Sequence, residues 1–182
     1  MSIHDGWVID PKNTIVIIPC KESGSLSPKL VKYVFQRFPE SNVVMNTSTL
    51  SLIEMRNRTI HDIPLGLMQR FEHFVLFDDD LHPDQRTDDM FRLEADVVGC
   101  RFVARSEAAW QMPDDVHNSA IRFRRQVVEA MSPPYYKERF NEQLTERVAC
   151  ECSWFRDQAK SLGFSIARAG FAEHGNQGRW HG

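Results

Sequence analysis

Phe74-Val75-Leu76-Phe77-Asp78-Asp79-Asp80-Leu81-His82-Pro83 is an apolar run that breaks into three adjacent carboxylates and closes on a proline. A short apolar run of this kind suits a strand buried on both faces, read here as His73 to Phe77. A strand ending in acids puts them at the carboxyl edge of a sheet, where open α/β folds hold their ligands. Alternation along an extended strand end sends Asp78 and Asp80 to one side and Asp79 to the other, so the first and third can share one hard cation. Three neighbouring carboxylates repel one another, and Mn2+ or Mg2+ relieves that repulsion through oxygen ligands, with substrate phosphates completing the shell. The same triplet also suits a solvated turn, in which aspartate is common.

Working outward, the β-branched run Thr14 to Ile18 reads as a strand closed by Pro19. Ser27 and Pro28 supply an N-cap and a first-turn proline for a helix whose apolar positions are Leu30, Val31, Val34 and Phe35, ending near Arg37 or Phe38. Val43 to Met45 form a second strand, Asn46 to Thr49 a turn with a cap, and Leu50 to His61 a helix. A helix through Asp88 to Glu94 leads to the strand Asp96 to Val103. This alternation predicts one α/β domain over residues 1–182, with a mostly parallel Rossmann-like central sheet flanked by helices. Further on, Val116, Ala120, Phe123, Val127 and Met131 have helical spacing, with Arg122, Arg124 and Arg125 on the other face. Pro133 to Arg147 reads as a loop. A last helix carries Phe155, Ala159 and Leu162 on one side and ends at Gly163 as an αL cap.

The composition sets bounds. The chain has 182 residues, 42% hydrophobic and 26% charged, enough for one sizeable core. A formal net charge of -3 offers no basic surface for nucleic acid. The amino terminus lacks a signal-peptide pattern and no stretch reaches about 18 apolar residues, so a cytoplasmic protein without a membrane span is expected. Cys20, Cys100, Cys150 and Cys152 show no paired framework and are read as reduced thiols.

The segment Phe74 to Pro83 resembles the Asp-x-Asp segment of GT-A fold nucleotide-sugar glycosyltransferases. Met55-Arg56-Asn57 is similar to the family's Ala-Arg-Asn-like stretch on the preceding helix, and Asp96-Val97-Val98-Gly99 to its "advvg" strand. Cys150-Glu151-Cys152 through Ala159 to Phe164 is similar to its acidic helix, and Glu173-His174-Gly175 to its late metal-binding histidine. The order holds from Thr14 to His174.

The resemblance implies a sugar transferred from a nucleotide-sugar donor to an acceptor hydroxyl on an unidentified glycan, lipid or protein, with inversion. It implies a cation held by Asp78, Asp80 and His174, and Pro19, Glu22, Arg56, Asn57, Asp78 and Asp79 around the donor. Where the family usually reads Glu-Asp, this chain has Glu151-Cys152, so Glu151 becomes the candidate base, with Cys152 as the alternative. Asn46 also departs from the family, which often has an acidic residue there. From the residues alone, Arg56 could equally pair with a nearby carboxylate such as Glu54, and Tyr135 and Tyr136 could line an acceptor groove or pack within a loop. A zinc site on Cys150, Cys152 and His174 lacks convincing spacing.

Two other classes compete. Val75 to Asp80 also fits a phosphatase whose Asp-x-Asp supplies nucleophile and acid, although such a motif usually opens its domain and Leu81 stands where threonine or valine is common. A nucleotide-sugar-binding module without turnover would explain the missing aspartate at Cys152.

Overall fold

The computed structural model describes residues 2–20, 26–47, 50–62, 69–102, 116 and 119–174. Its centre is a seven-stranded sheet built from β1 (Thr14–Cys20), β2 (Val43–Thr47), β3 (His73–Phe77), β4 (Leu81–Pro83), β5 (Val97–Phe102), β6 (Ala120–Arg124) and β9 (Ile166–His174). The strand order is β2-β1-β3-β6-β5-β9-β4. Pairing is parallel for β1 with β2 and β3 and for β5 with β9, and antiparallel wherever β6 or β4 takes part. The sheet is therefore mostly parallel, with β4 and β6 reversed, in a mixed α/β Rossmann-like architecture.

Period-two alternation builds a core on each face. Val16 and Ile18 of β1 and Val75 and Phe77 of β3 join one cluster with Leu30 and Val34 of α1 (Pro28–Arg37). Ile15, Ile17, Phe74 and Leu76 point the other way and pack with Ile60 of α2 (Leu52–Asp62), Val127 of α3 (Arg125–Ala130) and Phe155 of α4 (Glu151–Ser161). Strands buried on both faces read as continuous apolar runs, which is why β1 and β3 were legible.

The predicted first helix matches, with Ser27 Oγ accepting from Leu30 N at 3.4 Å and Pro28 opening the helix. Pro19 lies inside β1 rather than closing it, paired with Asn46 of β2 beyond the point where the β1–β3 ladder ends at Ile17. Asn46 and Thr47 belong to β2, not to a turn, and Asn46 Nδ2 donates to Thr59 Oγ1 at 2.8 Å. Residues 85–91 form a 3-10 helix in place of the α-helix expected over 88–94. A two-stranded hairpin, β7 (Arg139–Phe140) with β8 (Arg147–Ala149), interrupts the expected loop. In the last helix Phe155 and Ala159 are buried, but Leu162 is exposed, and Gly163 takes the expected left-handed conformation at φ +85°.

The larger correction concerns residues 116–131. Residues 120–124 form β6, between β3 and β5, and the helix is confined to α3. Arg122 is not on a solvated helix face but fully buried. Its Nε donates to Met90 O at 3.0 Å and its Nη2 to Leu93 O at 2.6 Å, so carbonyls cap the buried guanidinium. Burial, with Arg124 beside it, lowers its pKa to about 10, which leaves it cationic at neutral pH.

His73 faces this cation, with Arg122 Nη1 at 3.4 Å from His73 Nδ1. A guanidinium only donates, so Nδ1 must accept and the ring carries its proton on Nε2. Burial, then Arg122 and Arg124, pull the His73 pKa down from 6.5 to about 4. Between those values the unfolded chain binds a proton that the folded chain refuses, so stability falls as pH drops from 6.5 towards 4. The largest loss is about 1.4 kcal/mol per pH unit over that window. Chemical denaturation of wild type and His73→Gln across pH 4 to 7 should show the gap between them closing or reversing as the pH falls. Parallel profiles would remove His73 as the cause.

Candidate functional site

Phe77 is followed by Asp78, whose backbone N–H donates to Ser119 O at 2.8 Å. Leu81 N then donates to Asp78 O at 3.3 Å, closing Asp78-Asp79-Asp80-Leu81 as a turn. Alternation therefore carries Asp78 to the α2/α4 face together with Phe74 and Leu76, but Asp79 and Asp80 lie in the turn, where strand alternation no longer fixes direction. Asp79 O accepts from Ser27 N at 2.8 Å, which ties the turn to the start of α1. Antiparallel pairing of β4 with β9 sets His174 opposite Leu81, next in sequence to the acidic turn. The backbone of His174 thus lies beside that of the acidic turn.

Arg56 connects this turn to the last helix. It is 1% exposed on α2, and it donates through Nη2 to Asp78 Oδ1 at 2.5 Å and through Nη1 to Glu151 Oε1 at 2.9 Å. The side chains of Asp78 and Glu151 are themselves only 13% and 14% exposed. Burial opposes the charge on Arg56, but Asp78, with Cys152 and Tyr136 behind it, raises its pKa above the ordinary arginine value, so it stays a cation. Two carboxylates around one guanidinium form a charge-assisted network that neither pair could support alone in a dry site. Glu54, the sequence neighbour, is not the carboxylate that Arg56 binds.

Asn57, expected around the donor, holds the backbone of Tyr136. Its Nδ2 donates to Tyr136 O at 2.8 Å, and its Oδ1 accepts from Tyr136 N at 2.9 Å. This two-way bond fixes Tyr136 beside the Arg56 network, with the guanidinium carbon 5.9 Å from the ring centroid. Tyr136 also stacks on Phe155 at 5.1 Å and is buried, as is Tyr135, so both are packed and neither lines an open acceptor groove. Burial raises the Tyr136 pKa well above the ordinary phenol value.

Glu151 opens α4 between Cys150 and Cys152, all three close together. Cys152 is buried, with its Sγ 3.7 Å from Glu151 Oε1, whereas Cys150, the N-cap, is half-buried and its Sγ lies 3.4 Å from Ser153 Oγ. A bond from the Cys152 thiol, helped by Ser153, pulls the Cys150 pKa down from 9.0 to about 5 against the cost of burial, while Cys152 moves up. The less buried thiol of the pair is thus the more acidic one. Sequence reasoning weighed Cys152 as the reactive thiol and missed this division, which depends on which sulfur faces solvent.

Pro19 stands at the end of β1, where Cys20 is buried and its thiol pushed up to about 11 by desolvation and by Asp79. Glu22 lies outside the described residues. A shallow cleft of about 300 Å³, lined by His4, Asp10, Lys12 and Arg37 among others, opens at the amino edge of β1, away from the Asp78 turn. It contains none of the expected site residues. Among the described residues no helix is long and apolar enough to cross a membrane, and all four cysteines are free.

Fold and site together define an α/β protein with a buried Asp-Arg-Glu network at the carboxyl edge of a mostly parallel sheet. No protein-family model matches the chain, and neither does any curated protein. Among solved structures, A197 from STIV superposes with a TM-score of 0.56 over 88% of this chain and 81% of that one, at 14% identity. A likeness at that identity shows a shared fold alone.

The network predicts the effect of removing its centre. Arg56→Met leaves Asp78 and Glu151 as uncompensated, largely buried carboxylates and should lower unfolding free energy by about 3 kcal/mol or more. Arg56→Lys should recover part of the loss but not all of it, because one ammonium lacks the planar fork that meets two carboxylates. Urea denaturation of the three proteins gives the comparison, and equal midpoints would show that the network contributes nothing to stability.

Proposed function

We propose that this chain is a divalent-metal-dependent glycosyltransferase that uses a nucleotide-sugar donor. The observation that supports the reading is the bonding of Arg56 to both Asp78 and Glu151, partners 22 and 95 residues away in sequence. Three segments singled out by the family resemblance converge there, at the edge of the sheet where α/β folds bind ligands. The reading also draws on the backbone of His174 beside the acidic turn.

The carboxylate oxygens of the Asp78 turn are hard donors and fit Mn2+ or Mg2+. Asp78, Asp80 and His174 would hold the cation, which supplies charge neutralisation for a departing nucleoside diphosphate. Arg56 fixes the direction of Asp78 and Glu151 through one bond to each. For inverting transfer, the acceptor oxygen attacks the anomeric carbon as the bond to the diphosphate breaks, and Glu151 takes the hydroxyl proton. A bond through Oε1 to Arg56 leaves further lone pairs on the Glu151 carboxylate for that proton. The phosphatase alternative is less well supported, because a nucleophilic Asp78 would have to leave its 2.5 Å bond with Arg56.

Asp80→Asn is the sharper test of the cation, since Asp78 also stabilises the fold. With a nucleoside diphosphate and Mn2+ at about 100 times the dissociation constant, wild type should gain about 2.7 kcal/mol of apparent stability in a thermal-shift measurement. Asp80→Asn should lose that gain while its ligand-free melting temperature stays near wild type. A metal-independent shift, or the same shift in Asp80→Asn, would end the metal-site reading.

The base is tested by Glu151→Gln against Cys152→Ser. Glutamine keeps an acceptor for Arg56, so donor binding should persist while transfer falls by about 10² or more, the usual worth of a general base. Loss of transfer in Cys152→Ser alone would move the role to the thiol. Donor binding without turnover in wild type would favour a binding module, and a covalent phosphoaspartate at Asp78, seen by mass spectrometry, would favour the phosphatase.

A further inference from the structure

We propose that Cys150, Glu151 and Cys152 at the start of α4 form a second cation site, one that takes a thiophilic divalent ion such as Zn2+ and is separate from the oxygen donors of the Asp78 turn. One ligand atom from each of the three residues lies within 4.8 Å of the others, and Cys152 Sγ stands 3.7 Å from Glu151 Oε1. A tetrahedral Zn2+ with Zn–S about 2.3 Å and Zn–O about 2.1 Å separates sulfur and oxygen ligands by roughly 3.6 Å. The thiol and carboxylate are therefore already at ligand spacing. Two sulfurs select for a softer ion than Mn2+ or Mg2+, which prefer all-oxygen shells.

The surroundings suit such an ion. Arg56 occupies one lone pair of Glu151 through Oε1, and a carboxylate has about four acceptor sites, so coordination need not break that bond. With Arg56 behind it, Glu151 is held in place as a ligand in the way that outer partners orient metal-binding side chains. The amino end of α4 favours the anionic form of sulfurs placed there. A further observation points to an absent group: the Tyr136 hydroxyl is fully buried, has no hydrogen-bond partner among the described residues, and lies within the electrostatic reach of Arg56, Cys152, Asp78 and Glu151. A metal-bound thiolate or water would give that donor an acceptor. Cys150 is partly exposed and provides the entry side. Binding is an exchange without redox change: each coordinating thiol gives its proton to solvent and each sulfur donates a lone pair to the ion.

The test uses Co2+ as a spectroscopic probe on the reduced full-length chain, followed by displacement with Zn2+. Wild type should show thiolate-to-cobalt charge-transfer absorption with tetrahedral ligand-field bands, bleached by equimolar Zn2+. Cys150→Ser keeps a good helix cap and should weaken Co2+ binding by roughly tenfold or more, since losing a ligand costs at least as much as losing its outer-shell support. The double variant Cys150→Ser/Cys152→Ser should lose the charge-transfer bands, while Asp80→Asn should keep them. Circular dichroism on each variant checks that it is folded. Absence of thiolate bands in wild type overturns the proposal, as do bands that survive in the folded double variant, which would place the ion on Cys20 or Cys100. Loss of the bands in Asp80→Asn would also overturn it, by merging the two sites. None of these readouts depends on glycosyl transfer, so failure here leaves the proposed function to its own test.

Discussion

A guanidinium buried to 1% exposure must be neutralised, and the position of that charge constrains everything around it. Arg56 is reached by Asp78 from the end of β3 and by Glu151 from the first turn of α4, while its own helix, α2, covers the same face of the sheet. Sliding any one of these elements would leave an ionised group in a poorly hydrated site, at a cost of several kcal/mol. Apolar packing specifies such a register weakly, because hydrophobic attraction has no direction. The ion network supplies direction. Asn57, the next residue on α2, extends the constraint by clamping both backbone polar groups of Tyr136.

A second buried arginine works differently on the same sheet. Arg122 meets carbonyl oxygens of Met90 and Leu93 and the neutral ring of His73, so dipoles rather than carboxylates hold it. Nearby, Asp88 is buried against Arg37 and Tyr33, with Arg37 Nε at 2.7 Å and Tyr33 Oη at 2.5 Å. Asp88 anchors the 3-10 helix to α1. Gly170 of β9 allows the close approach of that 3-10 helix: its φ is +83°, and a Cβ there would stand 2.9 Å from Thr87 O. Charged groups thus pin the covering elements on both faces of the sheet, and a missing side chain lets the 3-10 helix approach β9.

The parts of this fold that the sequence made legible are those in which one signal dominates. Uninterrupted apolar residues marked β3, and the Ser27-Pro28 pair marked the start of α1. β6 was misread because Ala120, Phe123 and Val127 satisfy helical spacing, while Ala120, Ile121 and Phe123 are equally the buried residues of a strand. The arginine between Ile121 and Phe123 looked like a solvent-facing residue, and only the carbonyls of Met90 and Leu93 explain why it is inside. At the site, the acidic turn, Arg56 and Glu151 were each visible as chemistry. Their connection was not, because a salt bridge across 95 residues of sequence leaves no local pattern and the nearby Glu54 was the cheaper guess. The choice for Tyr136 between an acceptor groove and a packed loop stayed open for the same reason: the Asn57 side chain that clamps its backbone is 79 residues away.

The same guanidinium also separates two kinds of donor. On the Asp78 side stand the carboxylates of a turn and on the Glu151 side two sulfurs flanking a carboxylate, with Arg56 bonded to one oxygen of each acid. A cation placed midway would meet the positive charge of Arg56 directly, so any ion must sit outward from it, either towards Asp80 or towards Cys150 and Cys152. In the proposed arrangement ligand hardness would sort the ions, with oxygen-seeking Mn2+ or Mg2+ on one side and a thiophilic ion on the other. Occupation of the sulfur side would draw on Glu151 and so compete with a proton for the same carboxylate. The two proposed positions differ in their donor chemistry, and Arg56 is bonded to one acid of each.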